Sequence, residues 1–347
     1  MSRKLYIVRH AFLYTDCMWL TRQHSLSILY ALTPLHFMDI GTMVYRIFSY
    51  FWFLLKNILK NLAMFVMPSM INRLRGTTGT GNTQLDSNIN ELAQYAQGVF
   101  TKYCRHITKD DTYDALKDKT VLELGPGDTL ATALFFIAHG AKRVVCCDRF
   151  KLVVNSEKNT AIARQVLSML PEQQRLRLET VLNFDSCGHA RWNPAHIQYL
   201  HSKNDEIALE DISIDIIVSN AVLEHVQNPA ELFAAMNRVL KPGGIMVHAA
   251  DLKSHELYHK TDLDFLAIPE LLWKWMTFYR GAPNRLRKSN YERLLNRHDF
   301  KLDYFKITSS IANEKIKSFK KMHPKQASQF TDDDLSCGGF IFAARKP

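Results

Sequence analysis

The sequence predicts an α/β fold, a doubly wound and largely parallel sheet with helices on both faces. Three observations carry this. After Lys119, short strands rich in Val, Ile and Leu alternate with helical stretches. A glycine-bearing turn, Gly125-Pro-Gly127, follows the first of those strands and runs into a helix. An acidic residue, Asp148, closes the second strand about 20 positions later, the spacing at which such folds hold a ribose.

Residues 1–43 are poorly patterned, with isolated apolar clusters such as Leu26–Leu32. No compact apolar run with a small-residue cleavage site follows the charged start, so they are not read as a signal peptide. Met43 opens a more coherent segment and is a second candidate start. Residues 44–75 are read as an amphipathic apolar helix that Pro68 ends. Arg46, Ser49, Lys56, Asn57, Lys60 and Asn61 form its narrow polar stripe, with Phe48, Phe51, Trp52, Leu55, Ile58, Leu59 and Leu62 opposite. Its longest uncharged run, Ile47–Leu55, is too short for the roughly 20 residues of a membrane span. The pattern fits a helix lying in a membrane interface through residues 44–67. It fits equally a helix packed on the catalytic domain or on a second subunit.

Residues 76–89 form a small-residue linker with no Lys-Ser or Lys-Thr after the last glycine, so a phosphate loop is not expected. From Asn90 an amphipathic helix precedes the core. Strands are then expected at 120–124, 143–147, 196–200, 215–219 and 244–249, and helices at 130–138 and 229–240. The long interval before His196 holds a helix over 151–170 and a further segment over 175–184. Strands at 301–308 and 339–344 close the chain, with a polar helix or loop between them.

The chain carries a net charge of +10. Residues 1–76 hold nine Lys or Arg against Asp16 and Asp39, so the remaining body is close to neutral. A neutral body argues against a broad phosphate-tracking surface and hence against nucleic acid as the partner. The six cysteines are scattered without a CxxC pair or a zinc spacing, as expected of buried free thiols in a reducing compartment. A cytoplasmic location, with the protein peripheral on the inner membrane face, follows from these features together. The oligomeric state stays open.

The chemistry concentrates on Val121-Leu-Glu-Leu-Gly-Pro-Gly-Asp-Thr129. Glycines let the backbone approach a ligand, and Asp148 can take two ribose hydroxyls, which a dinucleotide enzyme would also use. Two details separate the readings. The last glycine of a dinucleotide fingerprint falls at Leu130, and Glu123 stands where a carboxylate meets a cationic amino-acid ligand. With Asp215-Ile-Ile-Val-Ser-Asn-Ala-Val-Leu-Glu-His-Val226 and Arg238-Val-Leu-Lys-Pro-Gly-Gly244, the sequence resembles the class I S-adenosylmethionine-dependent methyltransferases over residues 90–347. Thr129 departs from the family's frequent third glycine.

The resemblance implies a Rossmann-like methyltransferase sheet and S-adenosylmethionine as cofactor. It implies Glu123, Gly125 and Gly127 around the methionine part, Asp148 on the ribose, and Arg149 or Phe150 beside the adenine. It also implies Asn204 and Asp205 near the adenine amino group, and Asn220 on the cofactor edge, where His225 either joins it or makes a structural bond. A softer resemblance links the segment from Asp251 to Arg287 with bacterial enzymes of glycan and lipid pathways.

For the methyl acceptor, Asp251, His255 and His259 follow the fifth strand at four-residue steps, and a helix there would align them as a general-base group. A solvated helix face, or a metal site from the same residues, remains open; no metal is expected. Arg285 and Arg287 either clamp a phosphate or carboxylate of the acceptor or pair with core acids. The leading expectation is methylation of an oxygen, such as a sugar hydroxyl, on a small or lipid-linked acceptor. Methylation of RNA or protein, or a cofactor-binding scaffold without turnover, are the alternatives.

Overall fold

The computed structural model describes residues 40–67, 88–108, 113–149, 153, 156–202, 206–255, 261–279 and 282–347. The chain divides into two units, residues 1–75 and 76–347. In the first, helix α1 spans Ile40–Val66. Tyr45, Phe48, Trp52, Leu59 and Val66 recur at helical spacing and are exposed, whereas Asn57 and Asn61 are buried. Asn57 Nδ2 donates back to Phe53 O (2.9 Å). Among the described residues no helix is long and apolar enough to cross a membrane.

In the second unit α2 (Ile89–Ile107) begins at Asn88, whose side chain accepts the Asn90 N–H. Then come β1 (Thr120–Leu124), α3 (Ala131–Ala138), β2 (Arg143–Asp148), α4 (Glu157–Met169) and α5 (Glu172–Glu179). A hairpin of β3 (Leu182–Phe184) and β4 (Ala190–Trp192) precedes β5 (Ile197–His201), β6 (Ile214–Asn220), α6 (Pro229–Val239) and β7 (Leu240–Asp251). The remainder is α7 (Glu270–Thr277), α8 (Lys288–Arg297), β8 (Lys301–Ser310), α9 (Asn313–Met322), α10 (Pro324–Ala327), α11 (Asp332–Ser336) and β9 (Cys337–Arg345).

The main sheet runs in the order β5-β2-β1-β6-β7-β9-β8. Strands β5, β2, β1, β6 and β7 are parallel, and β9 is antiparallel to both of its neighbours. The expected doubly wound sheet is therefore present. Its strand order reverses between β1 and β6, which places a crevice beyond their carboxyl ends.

The central strands β1, β2, β6 and β7 are largely apolar because both faces are covered, whereas the edge strand β8 is mostly exposed. Val121, Val144, Cys146, Val218 and Val247 pack with α2, α3 and α4, while Leu122, Val145, Ile217, Met246 and Phe342 pack with α6 and α8. The interval before β5, expected to hold two segments, also contains the β3–β4 hairpin. Of the described cysteines, Cys104, Cys146, Cys147 and Cys337 are buried free thiols, and Cys187 is exposed.

Candidate functional site

The turn after β1 is shaped for close approach. Gly125 (φ 64) and Gly127 (φ 76) are both left-handed, a conformation that side-chain-bearing residues resist. A Cβ on Gly125 would meet Val222 Cγ2, from the loop after β6, at 2.4 Å. Gly125 N donates to Cys147 O (2.8 Å), which ties the turn to β2. The Thr129 hydroxyl accepts the Ala131 N–H (3.3 Å), so the residue in place of a third glycine serves the first turn of α3. The result is a glycine cradle rather than a filled turn.

Glu123 lies in β1 directly before this turn and is 4% exposed. Burial pushes its carboxyl up to about 7, against hydrogen bonds from Cys146 Sγ and Thr132 that favour the anion. A cation brought beside such a group draws its pKa down again. Asp148 ends β2 and is also buried, with its backbone oxygen accepting the Ser202 N–H at 2.8 Å. Arg149 follows it, half-buried. Across the switch point Asn220 ends β6; its Oδ1 accepts Lys102 Nζ (2.8 Å) and its Nδ2 donates to Tyr95 OH (3.1 Å). A buried carboxylate, a cradle without Cβ atoms and an acid at the next strand end fit an amino-acid-bearing nucleoside such as S-adenosylmethionine. Phe150, Asn204 and Asp205 lie outside the described residues.

The acceptor side differs from expectation. Asp251 is the last residue of β7, and a loop follows it instead of a helix, so helical spacing does not join it to His255. His255 instead turns back through a left-handed conformation (φ 48), which brings its Nε2 to 4.0 Å from Asp251 Oδ2. Its ring meets that of His225 edge-on, with centroids 4.8 Å apart. Ala221, after β6, is left-handed too (φ 56). Two such residues beyond adjacent strands hold a strained rim of the kind found at functional clefts. His259 lies outside the described residues.

Glu224, which local sequence did not single out, is 1% exposed and accepts the Asp251 N–H through Oε1 (3.1 Å). Its Oε2 has no partner among the described residues, and burial raises its carboxyl to about 8. Glu224, His225 and His255 bring ligand-type atoms within 4.8 Å of one another. Among the described residues, these three are a group that could hold a metal ion.

Neither arginine of the Asn284–Arg287 loop acts as a free clamp. Arg285 pairs with Glu270, donates to Ile268 O (2.7 Å) and lies over the Trp273 ring. Arg287 is fully buried and donates to three backbone carbonyls: Asp334 O (3.0 Å), Leu252 O (2.7 Å) and Cys337 O (2.5 Å). The expected phosphate clamp is corrected to a strut, because the guanidinium is fully buried and each of its three nitrogens already donates to a backbone carbonyl. Asn284 adds to it by donating to Leu223 O (2.8 Å) and Val226 O (3.1 Å), which fixes the turn that carries Glu224 and His225.

Between α2 and the carboxyl ends of β6 and β7 opens a cleft of about 540 Å³ that reaches across β9 to β8. Lys102, Arg105, His106, Asp251, Tyr304 and Lys306 are among the side chains that line it. The α2 and β8 residues were invisible as site residues in the sequence. They occur singly on an amphipathic helix and on an edge strand, and only the fold brings them together.

A family model described as a methyltransferase domain matches residues 95–304. The ubiquinone biosynthesis O-methyltransferase of Roseobacter denitrificans is 34% identical over 59 residues, which are 17% of this chain. That match spans only 24% of the relative's own length. Similar solved structures include an S-adenosylmethionine-dependent methyltransferase from Mesorhizobium loti, with 17% identity, 75% of this chain and 100% of that chain covered, and a TM-score of 0.39. Another is geranyl diphosphate C-methyltransferase from Streptomyces coelicolor A3(2), with 13% identity, 75% and 82% covered, and a TM-score of 0.42.

Proposed function

Because the chain belongs to the methyltransferase-domain family and uses S-adenosylmethionine, we propose that it methylates an oxygen of a small or lipid-linked acceptor, a sugar hydroxyl being the first candidate. The observation that carries this reading is the Asp251–His255 pair at the end of β7, beside a cleft large enough for one sugar-sized ring. Glu123, Gly125 and Gly127 would hold the methionine part of the cofactor, and Asp148 the ribose. Arg149 and Asn220 would border the adenine and the reacting end, with Asn204 and Asp205 assigned to the adenine by resemblance. When bound, the cofactor supplies a methyl carbon on a sulfonium, open to in-line displacement.

The protein's own task is then to position the acceptor and remove a proton. His255 takes the hydroxyl proton as the oxygen bonds to carbon, and Asp251 orients and stabilises the imidazolium that forms. The test needs a substrate, found by comparing metabolites of cells with and without the gene for a product heavier by one methylene. Asn tolerates a left-handed backbone, so His255→Asn removes the base while keeping the turn. It should lower kcat about 100- to 1,000-fold at unchanged affinity for S-adenosylhomocysteine. Turnover at the parent rate would remove His255 from the mechanism.

The exposed line of Tyr45, Phe48, Trp52 and Leu59 supports a second element of the reading, a membrane surface as partner of α1. The full chain should co-sediment with anionic phospholipid vesicles, and a Phe48→Ser/Trp52→Ser double variant should stay in the supernatant. Equal sedimentation of both would assign the line to a protein contact instead.

A further inference from the structure

We infer that the acceptor carries an anionic group, a carboxylate or a phosphate, and that Arg105 and Lys306 are the residues that read it. The inference rests on the reading that the acceptor enters beyond β6 and β7, and it names the substrate class for that site.

The cleft joins two walls that the sequence holds far apart, the last turns of α2 and the middle of β8. Three of its lining side chains are cationic, Lys102, Arg105 and Lys306, and one is a carboxylate, Asp251. The cations do not share one role. Lys102 is half-buried and committed to Asn220 Oδ1, and burial lowers its pKa, so it belongs to the structure of the rim. Arg105 and Lys306 are exposed, and among the described residues neither has an ion-pair partner.

Several other cations of this unit have an acid beside them. Arg238 pairs with Asp211, Lys241 with Asp215, Lys288 with Asp333, Lys315 with Asp262 and Lys320 with Asp332. Even on β8, the acid Asp303 is taken by Arg345 (2.7 Å) rather than by Lys306. The unit is close to neutral overall, so a local surplus of positive charge within one cleft is a feature of that cleft.

The walls are also held in place. The His106 and Tyr304 rings meet across the cleft, with centroids 4.4 Å apart, and connect α2 to β8 beside the two cations. A guanidinium and an ammonium on opposite walls suit a carboxylate or a phosphate, which accepts charge-assisted hydrogen bonds from several directions. The aromatic pair between them offers an apolar surface to the rest of the acceptor. Asp251 in the same cleft would repel an anion placed against it, which orients the charged end toward Arg105 and Lys306 and leaves a neutral hydroxyl for the Asp251–His255 pair.

The experiment titrates the full chain, saturated with S-adenosylhomocysteine, with phenyl phosphate, benzoate and benzyl alcohol at low ionic strength. Calorimetry is run on the parent and on an Arg105→Gln/Lys306→Gln double variant, whose changes lie on exposed positions and spare the core. At least one anion should bind the parent saturably, more weakly as salt is added. The double variant should bind that anion at least about tenfold more weakly, with affinity for S-adenosylhomocysteine and for benzyl alcohol unchanged. Which anion binds tighter separates a phosphate from a carboxylate. No anion binding to the parent, or equal binding to the double variant, overturns the inference. Failure of S-adenosylhomocysteine itself to bind would instead overturn the cofactor assignment, so the two failures are distinguishable.

Discussion

Arg287→Ala should lower the stability of the protein by about 3–5 kcal/mol, one of the largest losses expected for a single side chain. The guanidinium is fully buried, and its three bonds join the loop after β7 (Leu252), the middle of α11 (Asp334) and the first residue of β9 (Cys337). Removing it leaves three carbonyls without donors in a site that water cannot enter, and a cavity the size of the side chain. Arg287→Lys should recover only part of the loss, since one ammonium on a flexible stem cannot match a planar fork aimed at three acceptors. Urea denaturation followed by circular dichroism measures both. A variant as stable as the parent, but with a raised KM for an anionic acceptor, would return Arg287 to the role of a ligand clamp.

Gly125→Ala should weaken S-adenosylhomocysteine about 30- to 100-fold. The left-handed backbone costs an L-residue roughly 1–2 kcal/mol, and the new methyl would overlap Val222 Cγ2 at 2.4 Å. Adding Val222→Ala clears that overlap but leaves the backbone strain, so affinity should recover in part. Full recovery would mean that space alone matters, and no initial loss would detach the turn from cofactor binding. Asp148→Ala, measured alongside, should weaken the same ligand strongly without altering the turn; an unaffected affinity would end its assignment to the ribose.

The sheet was legible in the sequence because its central strands are buried on both faces, which leaves apolar runs between glycine and charged punctuation. The Gly125–Gly127 turn was legible for a related reason, since a close approach to the backbone leaves few residue types possible. What the sequence concealed is what depends on distant segments. Arg285 and Arg287 look like a binding pair in a linear reading, yet Arg287 finds its acceptors 35 to 50 residues away. The four-residue steps of Asp251 and His255 look helical, but pairing with β9 extends β7 to Asp251. The charge that marks the cleft is split between α2 and β8, and no window of sequence contains it.

The place of β9 has a consequence for synthesis. It sits between β7 and β8 with all but its last residue buried, although both neighbours precede it in the chain. Until residues 337–345 leave the ribosome, β7 and β8 each present an unpaired edge, and the α6 and α8 helices lack part of the surface they finally cover. The sheet therefore closes only after residues 337–345 have been made, with Arg287 waiting for the carbonyls of Asp334 and Cys337. Ribosomes that stall before residue 337 would hold a nascent chain with the cofactor turn already formed and its sheet still open, a species for chaperones to shield.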